Sequence, residues 1–473
     1  MLLELIEKLK ENIFIQKINK FLSSYFSIFF IAFLFLLSNV FSIEFIVYYI
    51  IMFYTIYVTL FYKDLSPIIP IAAMGYMSVS KKNNPFGYVE QSIFMEQSYK
   101  IQLLVILVIM LLFLFTRLIF NLIRTKEKFT FPRLSLGFLV FCFASMIGGA
   151  FSGLYEFKSS IYGLVVTVSL CIAYFLFYFT VDFKNLKTNY FYVLLTSAGV
   201  MLSLQILNTL YLAGLFNFDV PLNRSDLYTG WGVNNNVGCM VLMCLPGPFA
   251  LAIKKKNGWL FNLIGHFNML FLILNQSRNI ILLGILFYLF INIVVFIYTK
   301  GKEKIKNIIT TSVCIFIAII TVFIFRKEVA NIFASLIRIG MNDSGRIEMY
   351  KTSLISSLDT FIFGKGFYNV PPYQWGDIEK ITFIPPRYHN TYVQLICSTG
   401  IVGLLAYFYH RFETLRLVFK KLTLNKVFVA LSFLALPLSS ILDCHFFNIG
   451  PGFLYGIALL FLEKGLLEKA NLI

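Results

Sequence analysis

Charge is scarce in this 473-residue chain. Only 13% of its residues are Asp, Glu, Lys or Arg, whereas 59% are hydrophobic. A water-soluble chain of this length needs far more polar surface, so its solvent is largely lipid. Acidic residues are the scarcer sign, 23 against 40 basic. None falls at the centre of an apolar run: Glu44 and Asp443 lie near run ends. That placement argues against the carboxylate relay of an ion-coupled transporter. The seven cysteines (142, 171, 239, 244, 314, 397 and 444) sit mostly inside apolar runs and form no CxxC pair, which argues against a disulfide framework or a zinc site. No P-loop, GxGxxG, HExxH or GxSxG occurs in a suitable context, so no cofactor is expected. No small-residue cleavage site follows the first apolar run. The stretch from Met1 to Lys20 therefore reads as an amphipathic segment rather than a removable leader.

What is present is hydrocarbon-spanning helix. The apolar runs predict an all-α polytopic integral membrane protein with about 12–14 transmembrane helices. The basic excess clusters at Arg124–Lys128, Lys254–Lys256, Lys300–Lys306 and Arg416–Lys426. With cytoplasmic N- and C-termini these segments all fall on the inner side, as the positive-inside rule requires. The charge is thus a topology signal, and a nucleic-acid partner is not expected. The chain divides into a cytoplasmic amphipathic segment (1–20), a helix bundle (21–325), one large extracytoplasmic loop with short helices (326–390) and C-terminal membrane helices (391–473). The spans within these include 65–80 and 391–409. Loops as long as 326–390 usually have a role.

That loop holds most of the candidate chemistry. An amphipathic helix is expected over Val329–Ile339. A second is expected from Arg346 to Leu358, with Arg346 and Tyr350 one turn apart. Gly364 and Gly366 break it, and the pairs Pro371–Pro372 and Pro385–Pro386 stiffen the return path. The return delivers Arg387, Tyr388, His389 and Asn390 to the mouth of the next span, where a helix N-terminus favours anions. A neutral imidazole at His389 can take a proton from an attacking hydroxyl; its structural alternative is a helix cap. Two further arginines sit on the outer side against the inside bias. Arg224 precedes Gly230, Trp231 and the run Asn234–Asn236; solvated loop charge is its plain alternative. Arg278 follows Asn275, Gln276 and Ser277, and could equally be an interfacial anchor. His266 lies mid-span and is expected to bond a neighbouring helix, and His445, beside Asp443 on a short outer turn, is a further, weaker site candidate. The outer segments contain no Asp-x-Asp pair, so metal-independent chemistry is expected.

Arg346 with its amphipathic helix, the Gly364–Gly366 break, His389–Asn390 and the Gly400–Gly403 pair together resemble the signature region of the O-antigen ligase and O-antigen polymerase superfamily. Gln276, Ser277 and Arg278 resemble its Ser-Arg element, and Arg224 with Gly232 and Asn236 its earlier arginine motif. The resemblance covers roughly residues 220 to 410. It implies a metal-independent glycosyltransferase on the outer face of a bacterial cytoplasmic membrane, using a glycan on undecaprenyl pyrophosphate. By that resemblance Arg224, Arg278 and Arg346 bind the pyrophosphate and stabilise the leaving charge. His389 acts on the acceptor hydroxyl, with Asn390 and Tyr350 as supporting residues. The leading reading is a polymerase that joins lipid-linked repeat units into capsule or O-antigen chains. Lipid-linked donor and acceptor, membrane lipid, a flippase and a chain-length regulator are its partners. A ligase that moves glycan to a second acceptor is the near alternative. A lipid-linked oligosaccharide flippase is the third, and it would carry its polar load within the spans.

Overall fold

A backbone in hydrocarbon has no water to bond, so each crossing segment must satisfy its own amides, and helices result. The computed structural model describes residues 11–81, 97–124, 131–153, 155–187, 189–214, 227–327, 329–330, 346–369 and 387–465. These form α1 (Ile13–Leu22), α2 (Phe26–Phe41), α3 (Glu44–Phe61), α4 (Ile69–Met74), α5 (Gln97–Arg124), α6 (Ser135–Met146), α7 (Phe157–Thr180), α8 (Tyr190–Leu212), α9 (Asn234–Cys244), α10 (Pro246–Lys254), α11 (Gly258–Leu274), α12 (Arg278–Tyr298), α13 (Gly301–Ile324), α14 (Arg346–Ser356), α15 (Thr391–Phe419), α16 (Leu424–Ser439) and α17 (Ile449–Leu460). The described residues contain no β-strand, only an isolated bridge between Thr229 and Gly232. The expected helix at Val329–Ile339, beyond its first two residues, and the prolines at 371, 372, 385 and 386 lie outside the described residues.

The architecture is that of an all-α polytopic membrane protein. Eight spans among the described residues are long and apolar enough to cross a membrane; α1 and α2, bent by 78°, make a ninth if taken as one. The shorter apolar helices α6, α11 and α16 add to these. One expected span, 65–80, is instead broken into α4 and two short 3-10 turns, because Pro67 and Pro70 interrupt the amide ladder. At the centre lie α8 and the α9–α10 pair, 83% and 89% buried. At the periphery α5 and α13 are only 11% buried and present Leu, Ile, Val and Phe outward, as lipid-facing helices do.

The helix that carries the candidate site is not straight. Residues 391–409 read as one span in the sequence, yet α15 breaks at Gly400, which adopts φ 67° and ψ −164°. Only glycine fits there: a Cβ would come within 2.3 Å of the Ile362 carbonyl oxygen. Tyr392 and Phe408, sixteen residues apart, would stand about 24 Å apart on a straight helix. Their rings instead stack with centroids 6.0 Å apart. The loop packs into this break through its backbone. Lys365 N–H donates to Cys397 O (2.8 Å), Gly366 N–H to Ser398 O (3.0 Å), and Ile401 N–H to Phe361 O (2.8 Å). Gly364 and Gly366, read as helix breakers, are therefore also the docking surface for Gly400.

Candidate functional site

Four chain segments meet at one end of the bundle: the entry to α15, the turn between α16 and α17, and the starts of α9 and of α12. Asn390 caps α15, its Oδ1 accepting from the amides of Tyr392 (2.8 Å) and Val393 (3.1 Å). Its Nδ2 donates to Ile441 O (2.9 Å), tying the cap to the α16–α17 turn. Thr391 N–H donates to Ser440 O (3.0 Å) across the same seam. His389, just before the cap, takes a left-handed backbone with φ 52°, a conformation uncommon for a side chain of its size and one that concentrates at functional positions. Tyr350 on α14 holds it from above, its hydroxyl donating to the His389 carbonyl (3.1 Å).

The centre of this seam is Asp443. Its Oδ1 lies 3.3 Å from His389 Nδ1 and accepts the Cys444 amide at 2.7 Å. Its Oδ2 accepts from Asn235 Nδ2 (2.5 Å), and Asn235 Oδ1 accepts from Ser277 Oγ (2.8 Å). His445 Nε2 stands 3.9 Å from the same carboxylate. Burial opposes ionisation of Asp443, but the two imidazoles beside it, His445 and His389, and the hydrogen bonds it accepts from His389 and the Cys444 amide outweigh it. The carboxyl is held well below the usual carboxylate range. Burial pushes the fully enclosed His445 imidazole down, towards the neutral form. His389 differs in access: its side chain keeps 31% exposure beside a carboxylate with 13%.

Around this pair stand the cations. Arg346, the first residue of α14, donates Nη1 to Leu442 O (3.1 Å), one residue from Asp443. Arg387 donates to Asn448 Oδ1 and, at 3.5 Å, to Phe447 O. Asn448 and His445 share Asn236 Oδ1, at 2.7 and 3.2 Å. Arg278 opens α12 with an exposed side chain. Its segment is stitched into the site: Asn275 and Asn234 exchange amide-to-carbonyl bonds (2.6 and 3.1 Å), and Asn279 Nδ2 donates to Ser439 O (2.7 Å).

The fold therefore brings Arg346, Tyr350, His389 and Asn390 together, and links the Arg278 segment to them through Ser277, Asn235 and Asp443. Arg224 lies outside the described residues. Three participants carry no role in the sequence reading: Asp443, Arg387 and Asn235. Their signals were an acidic residue beside His445 on a short turn, an arginine beside His389, and an asparagine run opening a helix. Among the described residues, no group of three or more His, Cys, Asp or Glu converges as a metal site. The arrangement can accept a proton at an imidazole oriented by a carboxylate, next to guanidinium groups suited to phosphate oxygens.

Residues 264–408 match the family model described as O-antigen ligase, a segment running from α11 into α15. It contains Arg278, Arg346, Tyr350, His389, Asn390 and Gly400, and ends before Asp443. No curated protein and no solved structure matches the chain.

Proposed function

We propose that this chain, a membrane protein whose residues 264–408 match the O-antigen ligase family model, belongs to the O-antigen ligase and polymerase superfamily and polymerises oligosaccharide repeat units carried on undecaprenyl pyrophosphate. The observation that carries the reading is the His389–Asp443 pair, 3.3 Å apart, with Arg346 bonded to the residue before Asp443. A glycosyltransferase working outside the cytoplasm has no nucleotide sugar, so its driving force must be built into a lipid-linked leaving group. A pyrophosphate leaving group calls for cations, and the acceptor hydroxyl calls for a base.

In the reaction, His389 donates its Nδ1 proton to the ionised Asp443 carboxylate. That hydrogen bond selects the tautomer with the lone pair on Nε2. Nε2 takes the proton of the acceptor sugar hydroxyl as its oxygen attacks the anomeric carbon of the donor. The C1–oxygen bond to the pyrophosphate breaks, and its electron pair leaves with the lipid pyrophosphate. Arg346 and Arg278, together with Arg224, match the phosphate oxygens and take up the developing charge without a divalent metal. Asn390 and Tyr350 keep the His389 backbone in place.

The test is product length from purified protein in lipid vesicles containing chelator and one undecaprenyl-pyrophosphate-linked repeat unit. A ladder of multiples is expected. The description of the matched family favours a second reading, transfer of finished glycan to a different lipid acceptor. A single product formed only when such an acceptor is supplied would establish it. Unchanged substrate under both conditions, with protein shown to be folded, would overturn the transferase reading.

A further inference from the structure

Arg387 begins a chain of hydrogen bonds whose polarity can be followed to its end. A guanidinium only donates, so the Asn448 atom that Arg387 meets is the carbonyl oxygen, Oδ1. Asn448 therefore turns Nδ2 to Asn236 and donates to its Oδ1 at 2.7 Å. The same Oδ1 faces His445 Nδ1 at 3.2 Å. An amide oxygen only accepts, so Nδ1 carries a hydrogen. Burial, which penalises the charged ring, pushes His445 down from the usual histidine range. It prevails over the opposite pull of Asp443, and Arg387 and His389 act in the same direction as burial. A neutral imidazole has one N–H, and Asn236 takes it. The lone pair is left on Nε2.

That lone pair lies beside Asp443. His445 Nε2 stands 3.9 Å from Oδ2, beyond hydrogen-bond range, and is buried with no hydrogen-bond partner of its own. Oδ2 accepts from Asn235 Nδ2 instead, while Oδ1 accepts from His389 and the Cys444 amide. Two imidazoles of opposite sense thus flank one carboxylate. His389 turns an N–H to it, and His445 turns none. The charged and titratable groups that face His445 are Asp443 on its own turn, and Arg387 and His389 from the entry to α15. From α9 it meets the neutral Asn236.

Each further donor on a carboxylate draws off part of the charge that a histidine partner feels. By withholding its one donor, His445 leaves that charge to His389. We propose that His445 is a positioning residue for the transfer step: Arg387, Asn448 and Asn236 hold it as the Nδ1–H tautomer, which keeps Asp443 a strong partner for His389. The parts of this tautomer lock come from α9, the entry to α15 and the turn between α16 and α17, so it exists only in the folded chain. The inference rests on the proposed transferase reading for what His389 does as a base. The tautomer itself does not depend on that reading.

Diethyl pyrocarbonate, which modifies the neutral imidazole, tests this on the full-length protein in lipid vesicles. Of the four histidines, His266, His410 and His445 are only 8%, 0% and 1% exposed, so His389 is the accessible one. Mass spectrometry follows modification at His389 against pH with no substrate present. His445→Gln sets an amide donor where Nε2 stands, towards Asp443. Its midpoint is expected about one pH unit below that of the wild type, because a weakened carboxylate favours the protonated ring less. His445→Asn keeps a donor for Asn236 and places none towards Asp443, so its midpoint should move less. Asn236→Leu, on another helix, frees the tautomer and should lower the midpoint as Gln does. It carries the test should the Gln variant fail to fold. Unmoved midpoints in the Gln and Leu variants, or equal shifts for Gln and Asn, would overturn the proposal. With the lipid-linked repeat unit, the Gln variant should lose about tenfold in kcat with little change in KM. Midpoint shifts in a protein without turnover would keep the tautomer lock and remove the transferase reading. Turnover without midpoint shifts would do the reverse.

Discussion

Two histidine-centred networks in this molecule use similar side chains to opposite ends. In the first, His266 on α11 is nearly sealed, at 8% exposure. Both ring nitrogens are committed, Nδ1 to the Tyr288 hydroxyl (2.7 Å) and Nε2 to the Thr311 hydroxyl (3.2 Å). Asn262 donates to Thr311 Oγ1 and to the Asn307 carbonyl, both at 3.1 Å. This network joins α11, α12 and α13 within the apolar spans and contains no charged partner. In the second, His389 sits before a helix on a left-handed backbone, faces an ionised carboxylate, and stays one-third exposed. Surrounded by hydrocarbon, a polar group is tolerated when its neighbours satisfy it, and the result holds helices together. At a helix end, the same ring instead faces a carboxylate and keeps part of its surface exposed. The peripheral α13, with only 11% of its window buried, needs that internal fastening.

The sharpest way to break this comparison is to remove each histidine. His389→Ala is expected to lower glycosyl transfer by roughly 10²–10⁴-fold with insertion and folding retained. A variant turning over at the wild-type rate would reduce His389 to a helix-entry residue. Next is Asp443→Asn, which keeps the shape but removes the charge that selects the His389 tautomer. A loss of roughly 10²-fold, in kcat more than in KM, is expected from single-turnover and steady-state rates together.

The same variant has a stability signature. The folded-state value of Asp443 is depressed, so its stabilising contribution is present above the unfolded carboxylate value of about 3.9 and is lost as pH falls through the folded value. The wild type should lose melting temperature as pH drops below about 4, and the Asn variant should lack that component. Arg346→Lys keeps the charge and gives up the fork, for an expected loss of about tenfold in kcat/KM for the lipid-linked substrate. Unchanged turnover there would leave Arg346 as an anchor for the Leu442 carbonyl. The smallest effect belongs to the sealed network. His266→Ala should cost about 1 kcal/mol of stability, read as earlier thermal unfolding in detergent, with transfer unchanged. A large loss of activity in that variant would erase the distinction between the two networks.

Much of the site was legible because its residues lie close together in sequence. Arg346 and Tyr350 share a helical face at a spacing of four, and His389 adjoins the Asn390 cap. Asp443 was not assigned a role. It sits beyond the whole of α15 and α16, and no local spacing relates it to His389. Its value appears only when the α16–α17 turn folds beneath the entry to α15. The break at Gly400 was hidden for a different reason: the residues on both sides are apolar, so hydropathy runs through it as a single span. The segment 65–80 misled in the same way, since apolar composition outweighed two prolines spaced to break a helix.

By itself, the sequence determined that this chain lives in a bilayer as helices. Apolar composition is a property of each segment, and lipid leaves a spanning backbone no alternative partner. It also marked where polar residues gather. Tertiary structure alone decided which of them meet: His389 with Asp443, Ser277 with Asn235, Gly364 and Gly366 with the break at Gly400. Those contacts depend on how helices of nearly uniform hydrophobicity pack against one another. Lipid tails are as apolar as the helix surfaces, so packing shape and a few interhelical hydrogen bonds make that choice.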